Sequence, residues 1–191
     1  MRSFRMPKST FALVSLVMLV ASLLAACGDD DGDAPRADGS VSGACASGPL
    51  ALPIAGCMPA PTASTGDPAQ DCVNRINQFR AVCQCLPPLG RWSAGEACAS
   101  EQAEYDSTRM PHAGFQDRIC DSGRGQNECP GWPSVASTVS GCLQQMWDEG
   151  PGEPFIEHGH YINMTNPSHS EVACGFFTTP SGEVHAVQNF R

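Results

Sequence analysis

Residues 72–92 read CVNRINQFRAVCQCLPPLGRW, a helical pattern that stops at a pair of prolines. Apolar side chains recur in it at intervals of three or four residues, at Val73, Ile76, Phe79 and Cys83. This spacing is typical of a helix that buries one face. Proline cannot continue a helix, so we predict an amphipathic helix that ends before Pro87-Pro88.

Two further helices are predicted downstream of this segment. Ser93-Ala94-Gly95-Glu96 has the spacing of a capping box, and it predicts a helix that runs to about Thr108. A third helix is predicted from about Ser134 to Asp148, where Gly150-Pro151-Gly152 ends the pattern.

The pattern changes to that of strands after Gly159. Tyr161-Ile162-Asn163-Met164 is predicted to be a strand. Residues 172–178 and 184–190 flank Pro180-Ser181-Gly182 and predict a hairpin. Helices that come first and antiparallel strands that come last indicate an α+β domain with helices packed on the sheet.

The N-terminal residues predict export. Arg2, Arg5 and Lys8 precede an apolar run from Phe11 to Ala26, which is shorter than the roughly 20 residues that a spanning helix needs. Leu24-Ala25-Ala26-Cys27 resembles the bacterial lipoprotein box. We therefore predict a lipoprotein signal peptide at 1–26 and lipidation of Cys27, which would anchor the chain to a bacterial membrane on its extracytoplasmic side. The alternative is an ordinary secretory signal that is cleaved after Ala26, without a lipid.

The segment that follows, 27–70, is rich in Asp, Gly, Ala, Pro and Ser and predicts a flexible tether. Residues 71–191 suffice for one compact domain. Cys45 and Cys57 lie within the tether. They could bond to each other and close a small loop, or they could attach the tether to the domain.

The chain contains 11 cysteines, an odd number. Acylation of Cys27 would account for one of them, and the other ten could form five disulfide bonds in an oxidising compartment. Zinc binding is the rival interpretation for Cys83 and Cys85. The sequence has no paired Cys-x-x-Cys spacing, so disulfide bonds are favoured.

Charge excludes several functions. Removal of the three basic residues of the signal leaves eight basic residues against 20 acidic ones, a formal charge of −12. Nucleic acid is therefore not expected as a partner. Lys8 is the only lysine, so a mature chain has no lysine for a Schiff base or for phosphate binding.

Several short motifs follow one another between Cys72 and Phe190. They are Asn74-Arg75-Ile76-Asn77-Gln78-Phe79-Arg80, Leu86-Pro87-Pro88-Leu89-Gly90-Arg91-Trp92, His112, Gly125-Gln126-Asn127, Trp147-Asp148-Glu149, Gly159-His160-Tyr161, Cys174-Gly175 and Val187-Gln188-Asn189-Phe190. In this order they resemble the motifs of the cysteine-rich secretory protein, antigen 5 and pathogenesis-related superfamily, called CAP or SCP.

The resemblance implies a CAP-like α-β-α sandwich, in which an antiparallel sheet is flanked by helices and stapled by disulfide bonds. It also implies a central cleft lined by His112, His160, Glu149 and Gln126. Neutral imidazoles bind zinc-like ions, and acids beside them fix the tautomer. We therefore expect His112 and His160 to be the residues that could hold a divalent metal ion such as zinc.

One departure from the family pattern affects the chemistry of this cleft. Gln126 stands where the family has a glutamate, and an amide cannot exchange a proton. A general base at this position is lost unless Glu128 replaces it. His158 is a possible additional ligand if its segment is extended, whereas His169 and His185 are expected to be surface or hydrogen-bonded residues.

Three functions are consistent with these residues. The first is a lipid-anchored, non-enzymatic module that binds a lipid, a metal or a protein through the cleft. The second is a metal-dependent hydrolase with His112 and His160 on the metal and Glu149 as the candidate base. The third is a structural envelope protein with a degenerate cleft.

Overall fold

The computed structural model describes residues 45–191. The predicted signal peptide, Cys27 and the first part of the tether lie outside the described residues. Within 45–191, no helix is both long enough and apolar enough to cross a membrane.

The first helix, α1, spans Pro68–Gln78 and continues as a π-helical turn over Phe79–Cys83. Asp67 caps it, because its carboxylate accepts the N–H groups of Ala69 and Gln70 at 3.0 and 3.3 Å. Val73, Ile76 and Phe79 are buried. The prediction of an amphipathic helix that ends before Pro87 is confirmed.

A short strand, β1 (Gly90–Arg91), leads into a 3₁₀ turn (Ser93–Gly95) and then into helix α2 (Glu96–Asp106). The predicted helix is present, but the predicted capping box is wrong. No side chain caps either the turn or the helix. The carboxylate of Glu96 is instead held by the guanidinium of Arg91, with Nε to Oε1 at 2.5 Å and Nη2 to Oε2 at 3.0 Å. Helix α3 (Ala113–Gln116) follows.

Strand β2 (Gly125–Trp132) comes next, so the predicted order of helices first and strands last is wrong. The long third helix is confirmed. It consists of α4 (Val135–Ser137), a π-helical turn (Thr138–Cys142) and α5 (Leu143–Asp148). Ser134 and Ser137 form a reciprocal capping box at its start.

Helix α6 (Phe155–Thr165) contains the segment predicted as a strand, and that prediction is wrong. Tyr161 and Met164, three residues apart, are both buried, which suits the period of a helix and not that of a strand. Strands β3 (Glu171–Thr178) and β4 (Val184–Phe190) form the predicted hairpin.

The four strands form one sheet in the order β1-β3-β4-β2. Strand β4 pairs antiparallel with β3 and with β2, whereas the two-residue β1 pairs parallel with β3. Strand β2 is therefore an edge strand, and the pairing is irregular between Cys129 and Trp132.

Helices cover both faces of this sheet. On one face, Val172, Ala186 and Phe190 join the main core with residues of α1, α5 and α6. On the other face, Ala99 and Ala103 of α2 pack against Val187. Gly175 permits close packing of α2, because a Cβ there would lie 2.1 Å from the Ser100 nitrogen. The expected α-β-α sandwich, an antiparallel sheet flanked by helices, is confirmed.

Five disulfide bonds connect the ten described cysteines. The pairs are Cys45–Cys85, Cys57–Cys83, Cys72–Cys174, Cys98–Cys120 and Cys129–Cys142. Cys45 and Cys57 each bond to the domain and not to each other, and Cys83 and Cys85 are not free for zinc. This density of disulfide bonds indicates a protein of an oxidising, secretory environment.

Candidate functional site

His112 lies in the loop between α2 and α3, in a left-handed conformation with φ 66°. This conformation is uncommon for a residue other than glycine. Its backbone N–H donates to Oε2 of Glu128 at 2.6 Å, from strand β2. Asp106 holds the same loop through the N–H of Gly114, at 2.7 Å. Two buried acids therefore fix the backbone that carries the first histidine.

The ring of His112 is oriented by Gln126. Nδ1 of His112 lies 2.7 Å from Oε1 of Gln126, and a glutamine oxygen can only accept, so this contact assigns the proton to Nδ1. The Nε2 group of Gln126 donates to Gln102 at 3.0 Å and to Asn189 at 3.2 Å. Both the oxygen and the nitrogen of the Gln126 side-chain amide are therefore hydrogen bonded.

His160 lies on α6, on the other side of the sheet edge. Its Nδ1 is hydrogen bonded to Oε1 of Glu149, which is the C-terminal cap of α5. Oε2 of Glu149 accepts the backbone N–H of His160 at 3.0 Å. Both oxygens of this acid therefore hold His160 in place.

The two rings face a common space. Their centroids are 6.4 Å apart and their planes are inclined by 30°. Each Nδ1 is occupied by its own partner, and neither Nε2 makes a hydrogen bond to any residue in 45–191. We call this space, bounded by His112, His160, Gln126 and Glu149, the histidine cleft.

The donor set of the histidine cleft fits a weakly held divalent ion. Neutral imidazoles with Nδ1 hydrogen bonded outward are the usual form of histidine ligands. Two imidazoles on one tetrahedral zinc ion place their centroids about 5 Å apart, so the rings would have to approach each other slightly. No group of three or more His, Cys, Asp or Glu with metal-binding geometry exists among residues 45–191. Further ligands would come from water or from a bound molecule.

Glu128 is buried behind His112, with a side chain that is 1% exposed. Burial raises the pKa of this carboxyl from 4.5 to about 7, the His112 N–H opposes that rise, and the neighbouring charge of Asp106 adds to it. Oε1 of Glu128 and Oδ2 of Asp106 have no donor among the described residues. A proton carried by Glu128 would allow its side chain to hydrogen bond with that of Asp106.

Two cavities open beside the histidine cleft. One, of about 490 Å³, is lined by His112, Gln126 and His160 together with Arg124, Phe155 and Ile156. The other, of about 320 Å³, is lined by His160 and by the two acids, Glu128 and Glu149. The acids and the arginine thus line different cavities.

The other histidines do not join the histidine cleft. His158 is on α6, two residues from His160 and therefore about 200° around the helix. Its Nδ1 contacts the carbonyls of Glu149 and Gly150, so the expectation of an extended segment with a third ligand is wrong. His169 and His185 were expected to be surface or hydrogen-bonded residues, but both are buried, and both ring nitrogens of His169 and Nδ1 of His185 have no hydrogen-bond partner among the described residues. Burial lowers the pKa of His169, and nearby Arg124 and Arg80 lower it further.

Sequence reasoning missed several residues that shape the site. Gln102 and Asn189 hold Gln126, Asp106 adjoins Glu128, and Arg124 lines the larger cavity. The sequence carries no clear signal for the first two, because Gln102 follows Glu101 and Asn189 follows Gln188.

No protein-family model matches the chain, and no curated protein is significantly similar to it. Solved structures with some similarity include BmVAL-1, at 18% identity over 69% of this chain and 79% of that one, with a TM-score of 0.49. Na-ASP-1 is similar at 18% identity over 75% of this chain and 43% of its own length, with a TM-score of 0.48. Schistosoma mansoni venom allergen-like protein 4 is similar at 16% identity over 64% of this chain and 88% of that one, with a TM-score of 0.43. Similarity at this level assigns no role to any residue.

Proposed function

We propose that this chain is an extracytoplasmic, lipid-anchored protein of the CAP type, and that it is a binding module and not an enzyme. Its histidine cleft would hold a divalent metal ion such as zinc, or a small ligand. The motif order in the sequence and the disulfide-stapled α-β-α sandwich support the family assignment. The arrangement of the two histidines supports the binding role.

One observation carries the binding role. His112 and His160 come from different helical layers, and each is oriented through Nδ1 by a separate partner, with ring centroids 6.4 Å apart. Fixing a ring in this way reduces the conformational entropy that binding must overcome. Two Nε2 atoms that have no partner among the described residues are suited to a cation or to a hydrogen-bond donor.

The contacts of Glu149 argue against the hydrolase alternative. A general base needs a free oxygen that can reach the proton it removes. Both oxygens of Glu149 are occupied by His160, one at the ring and one at the backbone N–H. Gln126, at the other histidine, cannot act as a base. The histidine cleft therefore supplies ligands for binding, and Glu128, whose Oε1 has no partner among the described residues, is buried behind His112.

Zinc titration by calorimetry tests the binding role. We expect the wild-type protein to bind one zinc ion, and His112→Ala or His160→Ala to weaken binding at least tenfold. His185→Ala is the matched control, because His185 lies near the hairpin end of β4, paired with Phe177, and should leave the affinity unchanged. Zinc binding that survives His160→Ala would exclude the histidine cleft as the site. A wild-type protein that binds no zinc would favour the third hypothesis, a structural role.

Metabolic labelling with palmitate tests the anchor. The wild-type chain should incorporate label and partition into the membrane fraction, whereas Cys27→Ala should do neither. Both proteins should still form five disulfide bonds, since Cys27 takes no part in the pairs that are present. Equal labelling of the two proteins would rule out acylation at Cys27.

A further inference from the structure

A short segment near the start of the described residues is bonded to the domain at both ends. Cys45 and Cys57 form disulfide bonds with Cys85 and Cys83, which are only two residues apart. Both ends of the segment are therefore held at nearly the same place, where the π-helical turn after α1 ends. We call residues 46–58, with the sequence ASGPLALPIAGCM, the apolar loop.

The apolar loop is also held to the domain through its backbone. The N–H groups of Leu50 and Ile54 donate to the carbonyls of Gln84 and Cys83, at 2.9 and 2.7 Å. The side-chain amide of Gln84 donates to the carbonyl of Leu50 at 3.2 Å. These hydrogen bonds and the two disulfide bonds fix the loop, so its outward side chains cannot turn inward without breaking them.

The side chains that the apolar loop turns outward are large and apolar. Leu52, Ile54 and Met58 are 65%, 38% and 70% exposed, and they lie within seven residues of one another. Isolated exposed apolar residues are ordinary, but a group of them on a fixed loop indicates an interaction surface. The partner of this surface must itself be apolar where it meets the loop.

Charge is absent from the sequence around the apolar loop. No charged residue occurs from Gly39 to Gly66, although the mature chain carries 20 acidic residues and eight basic ones. Membrane surfaces are neutral or negative, so they do not attract the acidic remainder of the chain. The apolar loop can enter a lipid surface without burying a charge.

The position of the apolar loop in the chain also favours a membrane as its partner. Only residues 28–44 would separate an acylated Cys27 from Cys45, where the domain is first bonded. Such a tether would keep the loop at a high effective concentration near the bilayer, so that insertion of a few side chains suffices. Lipid-anchored proteins are commonly held by a second membrane contact of this kind.

We propose that the apolar loop inserts Leu52, Ile54 and Met58 into the surface of the bilayer that holds the anchor, and that it thereby determines which face of the domain meets the membrane. The inference rests on the proposed lipid anchor and adds a second contact to it. A second copy of the chain fits this surface less well. A stable protein interface buries about 800 Å² on each partner, an area that three side chains cannot supply.

Photolabelling of the lipidated wild-type chain tests this contact. The chain is reconstituted in phosphatidylcholine vesicles that contain a lipid with a diazirine in its acyl chain, and the labelled residues are located by mass spectrometry. Leu52, Ile54 and Met58 should be labelled at least tenfold more than Met110 and Ile156, which are 72% and 89% exposed outside the loop. Equal labelling of the two groups would overturn the inference.

Matched variants test the side chains themselves. In Leu52→Ser/Met58→Ser, labelling at Ile54 should fall at least fivefold, because two of the three inserted side chains are lost. Met110→Ser is the control and should leave labelling at Ile54 unchanged. All the substituted residues are exposed, so loss of folding does not explain a loss of label. Unchanged labelling of Ile54 in the double variant would contradict insertion by these side chains.

A second preparation separates this inference from the anchor. The mature chain with a hexahistidine tag in place of Cys27 binds to vesicles that contain a nickel-chelating lipid, without any acylation. The apolar loop should be labelled here as it is in the lipidated chain, and absence of that label defeats this inference alone. A wild-type chain that incorporates no palmitate defeats the anchor, whatever the result for the loop.

Two further measurements distinguish other occupants. Replacing part of the phosphatidylcholine with anionic phosphatidylglycerol should not increase labelling of the apolar loop, and a requirement for the anionic lipid would overturn the inference. The tagged chain without vesicles should sediment as a monomer. A dimer that dissociates in Leu52→Ser/Met58→Ser would identify a second copy as the occupant and overturn the inference.

Discussion

At the scale of single residues, the site depends on amides and acids that lie behind the histidines. Gln126 accepts from His112 and donates to Gln102 and Asn189. A carboxylate in its place would face two amide oxygens, so the surroundings suit an amide. Gln126 can therefore fix the tautomer of His112, the task of an acidic neighbour, although it cannot exchange a proton. Glu128 accepts the backbone N–H of His112 at 2.6 Å, whereas its Oε2 lies 3.9 Å from Nδ1 of the His112 ring.

Glu128 should make stability depend on pH. Its pKa is about 7 in the folded protein and near its ordinary value of 4.5 once unfolded. The folded state keeps this proton over a range in which the unfolded state loses it, so stability falls as the pH rises from about 4.5 to about 7. The contribution is roughly 3 kcal/mol. Glu128→Gln should remove this part of the slope, because an amide can accept from His112 and donate to Asp106 at every pH.

Urea denaturation at pH values from 4.5 to 8 measures this effect. The control is Glu183→Gln, an exposed residue beside the hairpin turn, which should keep the wild-type dependence on pH. If the curves of Glu128→Gln and the wild type were parallel across this range, a proton on Glu128 would not be part of the folded state.

At the scale of helices and strands, the elements that were predicted have either a regular apolar pattern or a clear turn signal. Helix α1 buries Val73, Ile76 and Phe79 at helical spacing. The hairpin was indicated by its turn residues, because β4 is buried at every position and shows no alternation. Strand β2 was missed because most of the side chains it buries, Gln126, Asn127 and Glu128, are polar. Helix α6 was mistaken for a strand because Ile162 and Tyr161 favour strands locally. Packing of Tyr161 and Met164 into the core outweighed that preference.

The contact between α2 and β3 gives a prediction at this scale. A Cβ at Gly175 would lie 2.1 Å from the Ser100 nitrogen and 2.3 Å from the carbonyl carbon of Ala99, and backbone atoms cannot move aside as a side chain can. Gly175→Ala should lower the free energy of unfolding by about 3 kcal/mol or more. Gly90→Ala is the control, since its Cβ would lie 3.2 Å from the flexible Cγ of Glu171. Equal destabilisation of the two variants in urea would mean that α2 does not pack this closely on the sheet.

At the scale of the whole molecule, the histidine cleft lies where the two helical layers meet around the edge strand β2. His112 follows α2 on one face of the sheet, and His160 comes from α6 on the other. The resemblance of the sequence motifs to those of the CAP family was enough to predict that both histidines line one cleft. The sequence could not show which strand lies between them, because β2 carries no apolar alternation. Arg124 was not noticed because no motif includes it.

The disulfide bonds should contribute unequally to stability. Cys72–Cys174 joins residues 102 positions apart, and Cys98–Cys120 joins residues 22 apart. From the entropy of loop closure, the first bond should stabilise by about 5 kcal/mol and the second by about 3 kcal/mol. Replacing the first pair with alanine should cost still more, because both of its cysteines are buried.

Urea denaturation of the two double variants, Cys72→Ala/Cys174→Ala and Cys98→Ala/Cys120→Ala, compares them directly under oxidising conditions. The larger loss is expected for the first variant. An equal or larger loss for the second would mean that its loop, and not the link between α1 and β3, limits the stability of the domain.

Two bonds, Cys45–Cys85 and Cys57–Cys83, also decide how far the domain could travel from a lipid on Cys27. They place the first covalent link to the domain at Cys45, so that the 17 residues of 28–44, and not the 43 residues of 28–70, would separate the domain from the lipid. Fully extended, 43 residues would span about 150 Å and 17 residues about 60 Å. The domain of an acylated chain would therefore stay within about 60 Å of the membrane surface.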